Sequence, residues 1–200
     1  LSYVDNQKTK ISEISMTYDV FMAGFGGQGI LLIGNLLAYA AIREGKNASY
    51  FPAYGVEKRG GAATCTVVLS DDEIGSPVIG RPGAALILNQ LSMEKYFDRV
   101  RPGGFCLVNT SLVETSPGAR DDIDILCLPL NEMALDVGDA RLVNMITIGA
   151  YAGRTGAVAL ASLKAALEEV LPERNHRFIP LNIEAIDLGA KAAQAKALVS

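Results

Sequence analysis

Two short stretches of this 200-residue chain carry residue types whose spacing could do chemistry. The first, Gly24-Phe25-Gly26-Gly27-Gln28-Gly29, fits the pattern GxGxxG through Gly24, Gly26 and Gly29. Glycines so placed permit a tight turn, let backbone N–H groups approach a phosphate, and aim the start of a helix at it. They could equally serve only to pack a strand closely against a helix. A dinucleotide site demands more, namely an Asp or Glu about 20 residues onward, at the end of the second strand, for the ribose hydroxyls. Ala48-Ser49-Tyr50-Phe51-Pro52 stands there, with no acid and no Arg for a 2′-phosphate. Nicotinamide dinucleotide therefore ranks below both other readings. The second stretch, Tyr54-Gly55-Val56-Glu57-Lys58-Arg59-Gly60-Gly61, sets two cations beside a glycine pair. It is either a solvated turn or an anion clamp. A second strand parallel to the first would end on the same rim as the glycine cluster, and that favours the clamp.

No catalytic set emerges elsewhere. The single histidine, His176, lies in a polar link between helices and reads as an exposed bystander. Hydroxyl, histidine and acid are not spaced for nucleophilic catalysis. Asp71, Asp72, Glu73, Asp121, Asp122 and Asp124 fall at turns and strand entries, where carboxylates are usually solvated. Asn89-Gln90, Asn109 and Asn144 follow strands or open a helix, so each is a ligand-facing group or a cap. Cys65, Cys106 and Cys127 all lie in apolar runs with no CxxC pair, which excludes zinc and iron–sulfur spacing and reads as buried, inert thiols in a reducing cytoplasm. A formal charge of −4 leaves no footprint for nucleic acid. Residues 20–42 carry no charge and are long enough to cross a bilayer, but the glycine cluster would break such a helix and 30–42 alone is too short. The opening residues show no signal-peptide pattern.

These groups need a scaffold. Half the residues are apolar and 20% are charged, ordinary for one α/β domain. Residues 18–23 read as a strand, 30–42 as a helix apolar on nearly every face, 48–51 as a second strand halted by Pro52, and 62–69 as a third. Too few residues separate strands two and three for a helical crossover, so the sheet must be mixed. Further strands are predicted at 84–88, 105–108 and 123–128. Helices are predicted at 92–100, with Ser92 as its cap, then at 132–137, 143–152, 160–171 and from 183 onward. The fold class is thus a three-layer α/β/α sandwich, Rossmann-like with a mixed sheet. Residues 1–17 form an arm and 18–200 a single domain.

Taken in order, the glycine cluster, Tyr54-Gly55 with Arg59-Gly60-Gly61, Ser70 through Ile74 to Pro77, Pro102-Gly103-Gly104, Asn144-Met145 with Gly149-Ala150, and Pro180-Leu181-Asn182 with Ala185 resemble the gamma subunit of 2-oxoacid:ferredoxin oxidoreductases. The stretch after strand four is most similar to the 2-oxoglutarate and branched-chain 2-oxoacid members. The resemblance implies a cytoplasmic complex that converts a 2-oxoacid, coenzyme A and oxidised ferredoxin to acyl-CoA, carbon dioxide and reduced ferredoxin. Thiamine diphosphate and the iron–sulfur clusters would belong to alpha, beta and delta partner subunits, with no catalytic or metal-binding residue on this chain. Carried over residue by residue, Gly26, Gly27, Gln28, Gly29, Lys58, Arg59 and Asn144 would shape the coenzyme A site. Two other readings remain at this point: a stand-alone NAD-type oxidoreductase and a purely structural assembly subunit.

Overall fold

The computed structural model describes residues 15–54, 62–114 and 120–197. Six strands form one sheet: β1 (Thr17–Phe25), β2 (Asn47–Tyr54), β3 (Ala62–Ser70), β4 (Ala84–Ile87), β5 (Phe105–Asn109) and β6 (Asp124–Leu128). Their order is β2-β3-β1-β4-β5-β6. β1, β4, β5 and β6 are parallel, and β3 is antiparallel to both of its neighbours. The short link between β2 and β3 dictates this, because no crossover helix fits within it. β2 thus runs in the same direction as β1 with β3 between them, so the predicted mixed sheet is what forms.

The sheet's two faces are covered unequally. One carries α1 (Ile30–Arg43), α3 (Leu130–Val137), α4 (Val143–Thr155), α5 (Leu160–Val170) and α6 (Ile179–Ala197). Met22, Val67, Leu86 and Leu107 from the strands meet Leu36, Leu37, Ile146 and Ile186 in that core. The other face is covered by α2 (Gln90–Tyr96) and the 3-10 turn Phe97–Arg99, which bury Ala85, Ile87, Cys106 and Val108. Coverage on both faces is why the interior of β1 is a continuous apolar run instead of an alternating one. α4 and α6 run side by side and meet main chain to main chain at two glycines. A Cβ on Gly149 would overlap the backbone of Ile186, and one on Gly189 the backbone of Ile146.

Several boundaries differ from the sequence expectation. β2 does not stop at Pro52 but runs to Tyr54, because it is an edge strand with a single neighbour and tolerates a missing N–H. The cap of α2 is Asn89, whose Oδ1 accepts the Ser92 N–H at 2.8 Å; Ser92 lies inside the helix. α6 begins at Ile179, four residues before the expected start, with Pro180 in its first turn where no N–H partner is needed. Cys65 and Cys106 are buried and desolvation pushes both thiols up to about 12, whereas Cys127 is only half-buried. His176 is half-buried, its ring nitrogen 2.9 Å from the Leu171 carbonyl, and not the exposed bystander expected. The first fourteen residues of the expected arm lie outside the described residues.

Candidate functional site at the carboxyl rim of the sheet

Strand directions decide which loops can meet. β1, β2, β4, β5 and β6 all end on one rim, and β3 starts there, with Phe25 paired to Ala62 and Tyr54 to Ala63. The glycine turn and the ends of the 55–61 segment therefore share a rim, as the sequence required of an anion clamp. Within the turn, the Gln28 N–H donates to the Phe25 carbonyl at 3.2 Å, closing four residues. Gly27 occupies the third position with φ 100°, the left-handed region that a type II turn demands there. Gly29, at φ 77°, leads into α1 with no side-chain cap. The N–H groups of a helix's first turn have no partner within the helix. Among the described residues those of Gly26 and Gly27 also reach no backbone carbonyl. The result is a cluster of main-chain donors at the positive end of a 14-residue helix.

Asn144 is brought to this turn from the far side. It is buried near the start of α4, where a Cβ on Gly29 would overlap its carboxamide and come within 3.0 Å of its Cγ. Gly29 is thus required twice, for its backbone angle and for the approach of Asn144. Beyond Asn144 opens a cleft of about 180 Å³ lined by Leu32, Arg141, Leu142, Phe178, Leu181 and Asn182, among others. Arg141 lies over the Phe178 ring at 5.6 Å and pairs with Asp139 at 2.5 Å. Hydrogen bonds from the Arg141 side chain and backbone hold the Asp139 carboxyl down at about 2. Deeper in the rim, fully buried Asn109 accepts the Ser111 and Leu130 N–H groups, both at 3.2 Å, and donates to the Leu88 carbonyl and Asn131 Oδ1.

The profile of the family described as pyruvate ferredoxin/flavodoxin oxidoreductase matches residues 19–192. The chain belongs to that family. Ketoisovalerate oxidoreductase subunit VorA of Methanothermobacter thermautotrophicus is 36% identical over 177 residues, 88% of this chain but only 36% of that protein. The chain therefore spans about a third of the length of that relative. The 2-oxoglutarate synthase subunit KorC of Methanocaldococcus jannaschii is 33% identical over 80% of this chain and 87% of its own length. Among solved structures, the keto/oxoacid ferredoxin oxidoreductase gamma subunit from Geobacter sulfurreducens superposes with a TM-score of 0.76 at 32% identity, covering 89% of this chain and 99% of that one. A 2-oxoglutarate:ferredoxin oxidoreductase from Magnetococcus marinus shares the fold, with a TM-score of 0.82 at 23% identity over 31% of its chain. These relatives place the chain in the gamma-subunit branch of the family.

In this gamma-type chain, Gly26, Gly27, Gln28, Gly29 and Asn144 come together at one point of the rim. Lys58 and Arg59 lie outside the described residues. The Gln28 side chain turns back into the protein, onto the Phe25 N–H and the Leu88 carbonyl. The dinucleotide reading loses its remaining support. Antiparallel β3 occupies the place beside β1 where an acid-bearing parallel strand would have to stand, and Ala62 and Ala63 are its residues at that rim. Sequence reasoning missed the cleft, which joins residues 139–144 to 171–182 through tertiary packing. The one local signal was Asp139 ahead of Arg141, a capping pattern at the foot of an apolar helix. Among the described residues no cluster of three metal-ligating side chains forms, and no helix is long and apolar enough to cross a membrane.

Proposed function

We propose that this chain is the gamma-type part of a 2-oxoacid:ferredoxin oxidoreductase and that its carboxyl rim supplies one wall of the coenzyme A site. The complex would oxidatively decarboxylate a 2-oxoacid of the 2-oxoglutarate or branched-chain type. The acyl group passes to coenzyme A and two electrons pass to ferredoxin. Thiamine diphosphate and iron–sulfur clusters are assigned to the alpha, beta and delta partners. The observation that carries this reading is the convergence of the glycine turn, the uncapped start of α1 and Asn144 at one point. The strand ends flanking the segment with Lys58 and Arg59, Tyr54 of β2 and Ala62 of β3, lie at the same rim. Coenzyme A presents a diphosphate and a further phosphate, which suit main-chain donors and paired cations. The Magnetococcus marinus 2-oxoglutarate:ferredoxin oxidoreductase holds 2-oxoglutarate, coenzyme A and succinyl-CoA in its structure, which supports that ligand class. At about 180 Å³ the cleft is well below the ~300–1,000 Å³ of a complete small-molecule site. Here the chain contributes a wall, and a partner subunit closes it.

The test is steady-state kinetics on the assembled complex. Replacing Lys58 and Arg59 together by Ala should raise KM for coenzyme A by about tenfold or more. KM for the 2-oxoacid should hold, because that substrate is read at the thiamine site. If KM for coenzyme A is unmoved, the chain serves assembly alone.

A further inference from the structure

We propose that Gln28 and Asn109 are positioning residues, forming a carboxamide clasp that holds the glycine turn open to its ligand while Gln28 itself makes no ligand contact. This rests on the reading of the rim as a coenzyme A wall, and it reassigns a residue whose sequence position suggested a direct contact. Gln28 Oε1 accepts the Phe25 N–H at 2.6 Å, while the Gln28 N–H returns to the Phe25 carbonyl at 3.2 Å. The turn is thereby closed from both sides, in the manner of a reciprocal cap. Gln28 Nε2 then donates to the Leu88 carbonyl at 3.4 Å, and Asn109 Nδ2 donates to the same oxygen at 3.3 Å. Leu88 is itself tied to β1 by its N–H on the Ala23 carbonyl at 2.9 Å. One carbonyl just past β4 thus fastens the turn after β1 to the buried amide that ends β5.

Gly24 supplies independent support. Its missing Cβ makes room for the clasp, since a Cβ there would overlap Gln28 Oε1. The other neighbours, Ile30 Cδ1 and Leu88 Cβ, stand at 3.2 Å and need yield only slightly. The first glycine of the motif therefore serves the Gln28 carboxamide, with no part in the ligand's approach. The functional consequence is entropic. Gly26 and Gly27 would otherwise have to be ordered when the ligand arrives, and a turn already fixed spares that cost.

The clasp is tested in the assembled complex. Gln28→Ala should raise KM for coenzyme A about tenfold, with turnover at saturating coenzyme A and KM for the 2-oxoacid within about twofold. Gly24→Ala should match it, because its methyl group evicts the carboxamide. The decisive measurement is the double variant. Gly24→Ala added to Gln28→Ala should have almost no further effect, since the evicted group is already gone. Multiplication of the two effects overturns the proposal, as does a fall in turnover with KM for coenzyme A unmoved. Gln28→Met keeps the side chain's length and loses both hydrogen bonds, and it carries the same test if the Ala variant does not assemble. If the Lys58 and Arg59 variants raise KM and the Gln28 variants do not, the clasp is wrong and the wall reading stands. If neither set moves it, both fall.

Discussion

The two rims of the sheet differ in how their buried polar groups are satisfied. At the amino rim, charge meets charge. Asp19, 6% exposed, takes Arg101 at 3.0 Å and the Gly83 N–H at 2.5 Å. Asp124 holds Arg154 through two bonds of 2.6 and 2.9 Å, Asp122 holds Arg120, and Glu44 joins Lys46 to the Ala159 N–H. At the carboxyl rim the buried polar side chains include the amides Asn89, Asn109 and Asn144 and the hydroxyl of Ser92, all neutral, with Gln28 half-buried beside them. An ion-paired rim has spent its cations on its own acids. A rim closed by neutral amides satisfies the strand ends without adding negative charge, so the positive potential of α1's first turn stays available to an anion. Among the described residues, Glu132 and Asp139 on that side are turned onto Ser111 and Arg141.

That contrast can be broken from either side. The largest effect should come from Asn109→Ala, which strands the buried N–H of Leu130 and the half-buried N–H of Ser111 beside a fully buried side chain. Denaturant unfolding should show a loss of about 2–4 kcal/mol. A loss below about 1 kcal/mol would mean that water or neighbours replace the amide. Asp19→Asn should do much less. It retains an acceptor for Gly83, and Arg101 is 50% exposed, so screening limits the loss to about 1 kcal/mol or less. KM for coenzyme A should not respond at all, and a rise would erase the distinction between the rims. The smallest effect concerns Asp139. Its folded value of about 2 lies below the ordinary 3.8, so its contribution is complete above pH 4 and fades as pH falls toward 2. A carboxylate NMR titration should find its midpoint near 2, and a midpoint near 3.8 would show that Arg141 is not engaged in solution.

Much of the frame was readable because apolar runs and glycine breaks are local signals. The buried helix at 30–42 and the antiparallel setting of β3 both follow from segment length and composition. Side-chain direction was not readable. Nothing in Gly27-Gln28-Gly29 says that the carboxamide folds back across Gly24 toward Leu88, sixty residues away. Asp19 stands in an apolar strand, and its meaning depends on Arg101, 82 residues on. Pro52 misled because an edge strand forgives what a central strand would not, and edge position is a property of the whole sheet. The choice of Asn89 over Ser92 as cap turned on where α2 begins, which local composition leaves ambiguous by a few residues.

The glycine contacts between α4 and α6 have a mechanical outcome. With main chain resting on main chain at Gly149 and Gly189, neither helix can roll without lifting the other. Asn144 and Asn182 project from the leading ends of that welded pair into the same cleft. Both stand on one tightly packed unit, so the backbone contacts that place one also fix the place of the other.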